Sequence, residues 1–437
     1  MKLLYVGRIF SGLEASLLSG KWEPTGVPTI YKLIEALDQS SHDVRFVLAD
    51  QAVSDKFRDE WRHGSCADVR LDGLGRSVTV MPGIASGIRA GRLRRKVDHA
   101  LQTAKIVRLI REFDPDVVYV DRSNVLAGAV AARYLGRRVV LRVMGIYPSM
   151  WEILFGRTLF ARLERWAYRS PFVFALCTED GSDGRGWMDA GLSSTVPRCT
   201  MLNGVAVAER GGQPLPPSLD RLPKDKLIVM FIGRVEDIKG WREFAEGILK
   251  VAPDKRSRLH AVMIGTGADR DRLAALIRGA GASDDFTLIE RIAHSQIHAV
   301  HAMADIYVSL NRLGNLSNAN LECFRDGMCT ILPTSDPANN VDVTTDCLIP
   351  PEAAIRIDRN RAAEALAETL ERLVDNPAEI ERRKVAMAVV AARILRSWDA
   401  RITEEIELLE TLAGGGDIGR WGKPAFAPGL HPSVRQI

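Results

Sequence analysis

Leu227-Ile228-Val229-Met230-Phe231-Ile232-Gly233-Arg234-Val235-Glu236-Asp237-Ile238-Lys239-Gly240 is the stretch on which the fold turns. Its first six residues are apolar and partly β-branched, the composition of a short strand buried on both faces in a parallel sheet. The run breaks at a glycine turn that carries two cations, Arg234 and Lys239, and leads into an amphipathic segment over 241–251. The same strand-then-glycine pattern returns in Ala261-Val262-Met263-Ile264-Gly265-Thr266-Gly267, which feeds a helix over 269–280. A third apolar run, 304–310, is followed by the polar loop 311–318 and a helix carrying Glu322. Strands that alternate with helices imply a parallel α/β sheet, whose ligands sit at the carboxyl ends of the strands. Arg234, Lys239, the turn at Gly265 and Glu322 all fall at such ends.

Working outward, 437 residues suffice for two domains of roughly 200 residues, each with its own core. The 46% apolar and 26% charged content is that of an ordinary globular protein. A net charge of +4 on this length argues against bulk nucleic-acid binding. The six cysteines are scattered without a CxxC and read as reduced thiols of a cytoplasmic protein, with neither a metal nor a disulfide framework. No apolar run approaches the roughly 18 residues of a membrane span, and the N-terminus enters a strand at once.

Three segments together carry a family resemblance: Gly233-Arg234 to Lys239-Gly240, Ile264-Gly265-Thr266-Gly267, and Gly314-Asn315-Leu316-Ser317-Asn318-Ala319-Asn320-Leu321-Glu322. In order and spacing they resemble the donor half of retaining nucleotide-sugar glycosyltransferases of the GT-B class (group 1, family 4-like). The resemblance implies two Rossmann-like domains with parallel sheets facing across a cleft. On that reading 1–207 is the acceptor domain, 208–222 the linker around Gly211 to Pro217, and 223–394 the nucleotide-sugar domain. Residues 395–437 are a helix crossing back to the first domain, plus a tail.

The resemblance also implies roles. Arg234 and Lys239 would neutralise the charge that builds on the leaving diphosphate, one as a planar fork and the other as a mobile point charge, in place of a divalent metal. Gly233 and Gly265 would line the donor site, and Arg291 sits where the family holds the base through backbone contacts. Gly314, Asn315, Leu316 and Ser317 precede the helix of Glu322, and amides of Leu316 and Ser317 would hold the diphosphate. Glu322 would accept hydrogen bonds from the ribose hydroxyls. The donor is a nucleoside-diphosphate sugar, no further cofactor is expected, and the acceptor is a glycan, a lipid-linked sugar or a small molecule.

The first half adds weaker signals. Gly26, before the helix that opens near Pro28, either faces the donor diphosphate or is a plain Rossmann turn. Asp114-Pro115-Asp116 reads as a turn before a strand rather than a metal-binding DxD. Met144 stands where the family commonly has a histidine against the donor sugar, and Gly314 where it has a second glutamate. Asn311, Arg312 or Asn315 would then take over the sugar contact, or the chain is a degenerate homologue that binds nucleotide or glycan. An epimerase or phosphorylase on the same frame is the third alternative. Glu179, at a strand end, either touches a substrate or caps a helix. The basic segment 89–111 has an apolar stripe at helical spacing, and is either a solvated helix face or a patch for an anionic membrane surface. Single helices are expected over 151–169 and 377–412.

Overall fold

A computed structural model describes residues 1–10, 12–50, 67–81, 91–207, 219 and 221–421, and over 91–96 the backbone alone. Most of the 208–222 linker, Cys66, Arg89 and the tail beyond Trp421 lie outside the described residues, as do the side chains of Arg92, Arg94, Arg95 and Lys96. The chain forms two compact units: Met1–Thr178 with Gly184–Met201 and the chain from Trp398, and Glu179–Asp183 with Leu202–Ser397.

The first unit is built on eight strands: β1 Lys2–Arg8, β2 Asp43–Ala49, β3 Ala67–Val69, β4 Val78–Met81, β5 Val117–Asp121, β6 Arg138–Val143, β7 Phe174–Glu179 and β8 Arg198–Leu202, in the order β3-β4-β2-β1-β5-β6-β7-β8. The ladders from β4 through β2, β1, β5 and β6 to β7 are parallel, and β3 runs antiparallel to β4. Successive residues of a strand point to opposite faces. Leu3, Tyr5, Phe46, Val117 and Tyr119 therefore pack with the helices Pro28–Gln39 and Trp398–Gly414, while Leu4, Val6, Val47, Val118 and Val120 pack with Ile106, Ala127 and Trp187.

The second unit holds six strands: β9 Leu227–Ile232, β10 Leu259–Ile264, β11 Phe286–Ile289, β12 Ile306–Val308, β13 Cys329–Pro333 and β14 Ala354–Ile357, in the order β11-β10-β9-β12-β13-β14. All five ladders are parallel. Val229, Phe231 and Met263 meet Trp241, Phe244 and Leu366 on one face, and Ile228, Met230 and Val262 meet Tyr307, Val300 and Cys323 on the other.

Three expectations change. The segment 151–169 is two helices, Pro148–Phe155 and Leu159–Tyr168, broken at Gly156-Arg157-Thr158, where the Thr158 hydroxyl accepts from the Ala161 amide at 3.1 Å and starts a new helix. The long C-terminal helix is Pro377–Ile394 and Trp398–Gly414. Between them the Arg396 carbonyl accepts from the Val205 amide at 2.9 Å, a long-range pairing that no local breaker announces. The loop after β1 contains a helix, Glu14–Ser19.

The helix Trp398–Gly414 enters the first unit with charges buried. Arg142 of β6, Arg401 and Glu405 are each at most 2% exposed. Glu405 Oε1 accepts from the Tyr119 hydroxyl and lies 3.5 Å from Arg142 Nε, and Arg401 Nη1 lies 2.8 Å from Oε2. Arg142 also donates to Thr178 Oγ1 at 2.8 Å. Burial pushes the Glu405 carboxyl up, but Arg401, Arg142 and Tyr119 outweigh it and hold it below the usual glutamate range. Removing that one carboxylate would strand two buried guanidinium groups. Glu405→Ala is expected to destabilise the protein by about 3–5 kcal/mol, measured by denaturant unfolding. Because the folded carboxyl ionises below its unfolded value, the advantage over Glu405→Gln is full at neutral pH and is lost as pH falls through the depressed folded value. A gap that instead persists undiminished into acid would contradict this.

Candidate active site

The carboxyl edge of the second sheet is assembled by loops tied to one another. Gly233 N–H donates to the Ile264 carbonyl at 3.0 Å, Val235 N–H to Thr266 at 2.9 Å, Gly265 N–H to Ile289 at 2.9 Å and Arg312 N–H to Ile238 at 3.0 Å. The turns after β9, β10, β11 and β12 thus form one stitched rim. Gly265, at φ +154°, is pressed so close that a Cβ there would stand 1.8 Å from the Gly233 carbonyl oxygen. Gly265 is therefore first a packing requirement, its backbone lying directly on that of Gly233, whereas a Cβ on Gly233 would meet only the Phe231 ring at 3.6 Å.

Arg234 follows Gly233. Its side chain is 64% exposed, and its guanidinium pairs with Glu236 at 2.9 Å. Lys239 ends a 3₁₀ turn over Asp237–Lys239 and is half-buried. Burial and then the Arg234 charge push its ammonium below the usual lysine value, while Asp180 and Glu236 pull the other way. Two carboxylates, Asp180 and Glu236, thus stand against the two cations, and Glu236 is engaged with Arg234.

Asp180 belongs to Glu179–Asp183, the short segment that joins the second unit. Its carboxyl is pushed up by burial, against hydrogen bonds from Ser182 and the nearby Lys239 charge. Its carbonyl accepts from the Leu316 amide at 3.1 Å. The segment lies on Gly314: a Cβ on Gly314 would meet the Asp180 oxygen at 2.4 Å and the Gly181 carbon at 2.5 Å. The Gly181 carbonyl accepts from Asp342 N–H at 2.9 Å, and the buried Asp342 carboxylate accepts from the Asn315 amide at 2.8 Å and from Asn315 Nδ2 at 2.7 Å. The amides of Leu316 and Asn315 are thus committed within the protein instead of facing a diphosphate. Ser317 remains at the opening of the helix Asn318–Arg325, its hydroxyl accepting from Asn320 N–H at 3.4 Å.

Glu322 lies about 6 Å along that helix from its first residue, Asn318. It is buried, and Oε1 meets His294 Nε2 at 2.7 Å. His294 follows Arg291, which is exposed in the loop after β11. Asn311 is buried, its Oδ1 accepting from Leu313 N–H at 3.1 Å. Arg312, one of three candidates for the sugar contact, is held by Asp237 at 3.0 Å and by Glu243. Glu179 is buried and accepts from the Gly181 amide at 3.2 Å, a turn contact of the kind a capping residue makes.

The structure therefore brings Lys239, Arg234, Asp180, Gly314, Leu316 and the Glu322 helix into one linked neighbourhood, with Gly265 and Arg291 on the adjoining turns. Gly26 and Met144 belong to the first unit. Gly26 sits at φ +95° ahead of Pro28, and Met144 Sδ lies 4.0 Å from Thr178 Oγ1. Sequence reasoning missed Asp180 as the counter-charge of Lys239, although its place just after β7 was a signal. It had no signal for His294 or Asp342, whose partners are brought in by tertiary folding.

Two α/β units on parallel sheets, with cations and glycine-tight turns at the strand ends of the second, define the GT-B class of glycosyltransferases. Sucrose-phosphate synthase from Thermosynechococcus elongatus shares the fold at TM-score 0.69 and 14% identity, over 95% of this chain and 100% of that one. Anabaena HepE in complex with UDP does so at TM-score 0.63 and 14% identity, over 95% and 100%.

The family follows from the sequence match. Residues 220–388 match the model of the glycosyl transferases group 1, and residues 26–183 that of the glycosyl transferase 4-like domain. The chain belongs to the group 1 glycosyltransferases. It is 24% identical to a 2-deoxystreptamine glucosyltransferase of Streptomyces kanamyceticus, over 64% of this chain and 74% of the relative. It is also 24% identical to a 2-deoxystreptamine N-acetyl-D-glucosaminyltransferase of Streptomyces fradiae, over 71% and 75%.

The seating of Asp180 and Gly181 on Gly314 can be tested directly. Gly314→Ala is expected to cost about 1–3 kcal/mol in denaturant unfolding, because backbone must move to admit a methyl group. Gly279→Ala, in a helix with nothing within 4 Å of the added carbon, is expected to be neutral or slightly stabilising. Equal stability of the two variants would show that the loop does not press on Gly314.

Proposed function

We propose that this glycosyltransferase moves a sugar from a nucleoside diphosphate to an acceptor hydroxyl with retention of configuration, and that fixed cations rather than a divalent metal meet the diphosphate. The observation that carries the reading is Lys239, a half-buried ammonium in the turn after β9, near Arg234 and Asp180, whose carbonyl accepts from the Leu316 amide in the loop that opens the Glu322 helix. As the bond between the anomeric carbon and the phosphate oxygen breaks, charge grows on the diphosphate, and prepositioned cations favour that state over the ground state. The acceptor oxygen bonds to the same carbon on the same face, and its proton passes to the departing phosphate oxygen. Such a step asks the protein for position and charge more than for a base. That is compatible with Met144 in place of a histidine and with Gly314 in place of a carboxylate.

Glu322 is assigned to the ribose hydroxyls, with His294 holding its other side, and the turn around Arg291 to the base. The relatives named for transferring glucose and N-acetylglucosamine, together with the UDP complex of a fold neighbour, favour a uridine diphosphate donor with a gluco-configured sugar. The acceptor is a glycan, a glycolipid or a small molecule.

A panel of UDP-, GDP- and ADP-sugars, each assayed for donor hydrolysis and for transfer to mixed acceptors with and without EDTA, tests the reading. Turnover of a UDP-sugar that EDTA leaves unchanged is expected, and nucleotide binding without turnover across the panel would overturn it. Lys239→Ala is expected to lower kcat by about 10²–10³-fold with the circular dichroism unchanged.

The depressed lysine value adds a pH signature. Activity needs the protonated ammonium, so kcat/KM should fall on the alkaline side at a value below that of an ordinary lysine. Lys239→Arg, which stays protonated, should remove that limb while keeping part of the activity. An alkaline limb unmoved by Lys239→Arg would assign it to another group.

A further inference from the structure

The proposed chemistry leaves one surface of the first unit unused. The helices Pro148–Phe155 and Leu159–Tyr168 form a hairpin, and Arg165 fastens its turn by donating to the Ile153 carbonyl at 2.9 Å and to the Gly156 carbonyl. This well-held turn nonetheless carries large apolar side chains in water: Phe155 is 76% exposed, Leu159 83% and Leu163 43%. A single exposed leucine is ordinary, whereas three gathered around one turn call for an explanation.

The hairpin is graded along its length. Leu159 and Leu163 stand one turn apart on one face, with the exposed Arg162 beside them. Roughly 10 Å from Leu159 along the same face comes Trp166. The 70% exposed Tyr134 stacks on Trp166 at a centroid distance of 6.4 Å, and the Arg133 guanidinium lies 5.1 Å from the Trp166 ring centroid. Arg157 in the turn and Arg169 at the far end are exposed, against one exposed acid in 148–169, Glu152.

We propose that this hairpin docks the protein on an anionic phospholipid surface, with Phe155, Leu159 and Leu163 entering the acyl boundary and the arginines meeting headgroup phosphates. The spacing matches the occupant. Interfacial elements bury their apolar part about 5–10 Å deep, and tryptophan and tyrosine prefer the headgroup level. An exposed apolar tip with an aromatic and basic collar reproduces that order of depths. Clustered arginines add attraction to a negative leaflet. The hairpin follows β6 and Met144 directly in the chain. The inference is independent of the donor chemistry, and it locates the membrane contact on residues other than the basic 89–111 segment.

Co-sedimentation of the full chain with vesicles of phosphatidylcholine, and of phosphatidylcholine mixed with phosphatidylglycerol, tests it. The protein should pellet with the anionic vesicles and less so as salt rises. Phe155→Ser with Leu159→Ser and Leu163→Ser should lower binding at least about ten-fold, and Arg157→Glu with Arg162→Glu should abolish the preference for anionic lipid. Both sets should leave circular dichroism and sugar-nucleotide turnover unchanged. Should the serine variant fail to fold, Leu159→Cys carrying an environment-sensitive dye gives the second readout. Its emission should shift to the blue with anionic vesicles, while a dye at the exposed Val385→Cys of the second unit should not respond. Binding lost through Lys105→Glu, Arg108→Glu and Arg111→Glu but not through the hairpin variants would overturn the proposal. So would no vesicle binding, with the serine variant instead dissociating a dimer.

Discussion

Backbone lying on backbone is the constraint on which the second unit depends. Gly265 on Gly233, and Gly181 on Gly314, are contacts in which even a methyl group would collide. Because nothing intervenes, the turns after β9, β10 and β12 and the segment Glu179–Asp183 form one rim, and the side chains they carry come within electrostatic reach. A bulky residue at Gly265, Gly181 or Gly314 would separate the loops before it changed any charge. Gly314 is thus a structural choice: a carboxylate at that position and the present seating of Asp180 exclude one another.

The same rim explains the charge of the candidate site. Lys239 is desolvated and stands near Arg234, with Asp180 and Glu236 as the opposing charges and Glu236 held by Arg234. At an effective dielectric of about 20, a unit charge about 4 Å away is worth roughly 4 kcal/mol, which is the scale on which the proposed diphosphate would interact with a desolvated ammonium. Arg312, by contrast, is held by Asp237 and Glu243. The first unit handles its buried charge differently. Arg142 and Arg401 share Glu405, and the cost of hiding them fastens the helix Trp398–Gly414 in one register.

Much of this was legible in the sequence, for physical reasons. Buried parallel strands demand unbroken apolar runs, so β9 and β10 announced themselves, and the turns after them carried glycine and cations at strand ends. What sequence could not disclose was set by distant partners. Leu395 to Ser397 break a helix because Val205 pairs with Arg396, and no glycine or proline marks the place. The Leu316 amide, expected to be open at a helix start, is taken by a carbonyl from more than a hundred residues earlier. His294 meets Glu322 only through the order of the strands. Thr158, by contrast, was a visible helix start that a continuous apolar pattern obscured.

The central claim is that Lys239 serves the diphosphate and Glu322 the nucleoside of one bound molecule. Calorimetric titration with UDP and with uridine, on the unsubstituted chain and on Lys239→Ala and Glu322→Gln, separates the two roles. The account predicts that Lys239→Ala erases the preference for UDP over uridine while leaving uridine binding intact, and that Glu322→Gln weakens both ligands alike. Uridine affinity that falls with Lys239→Ala, or UDP binding indifferent to both substitutions, would contradict it.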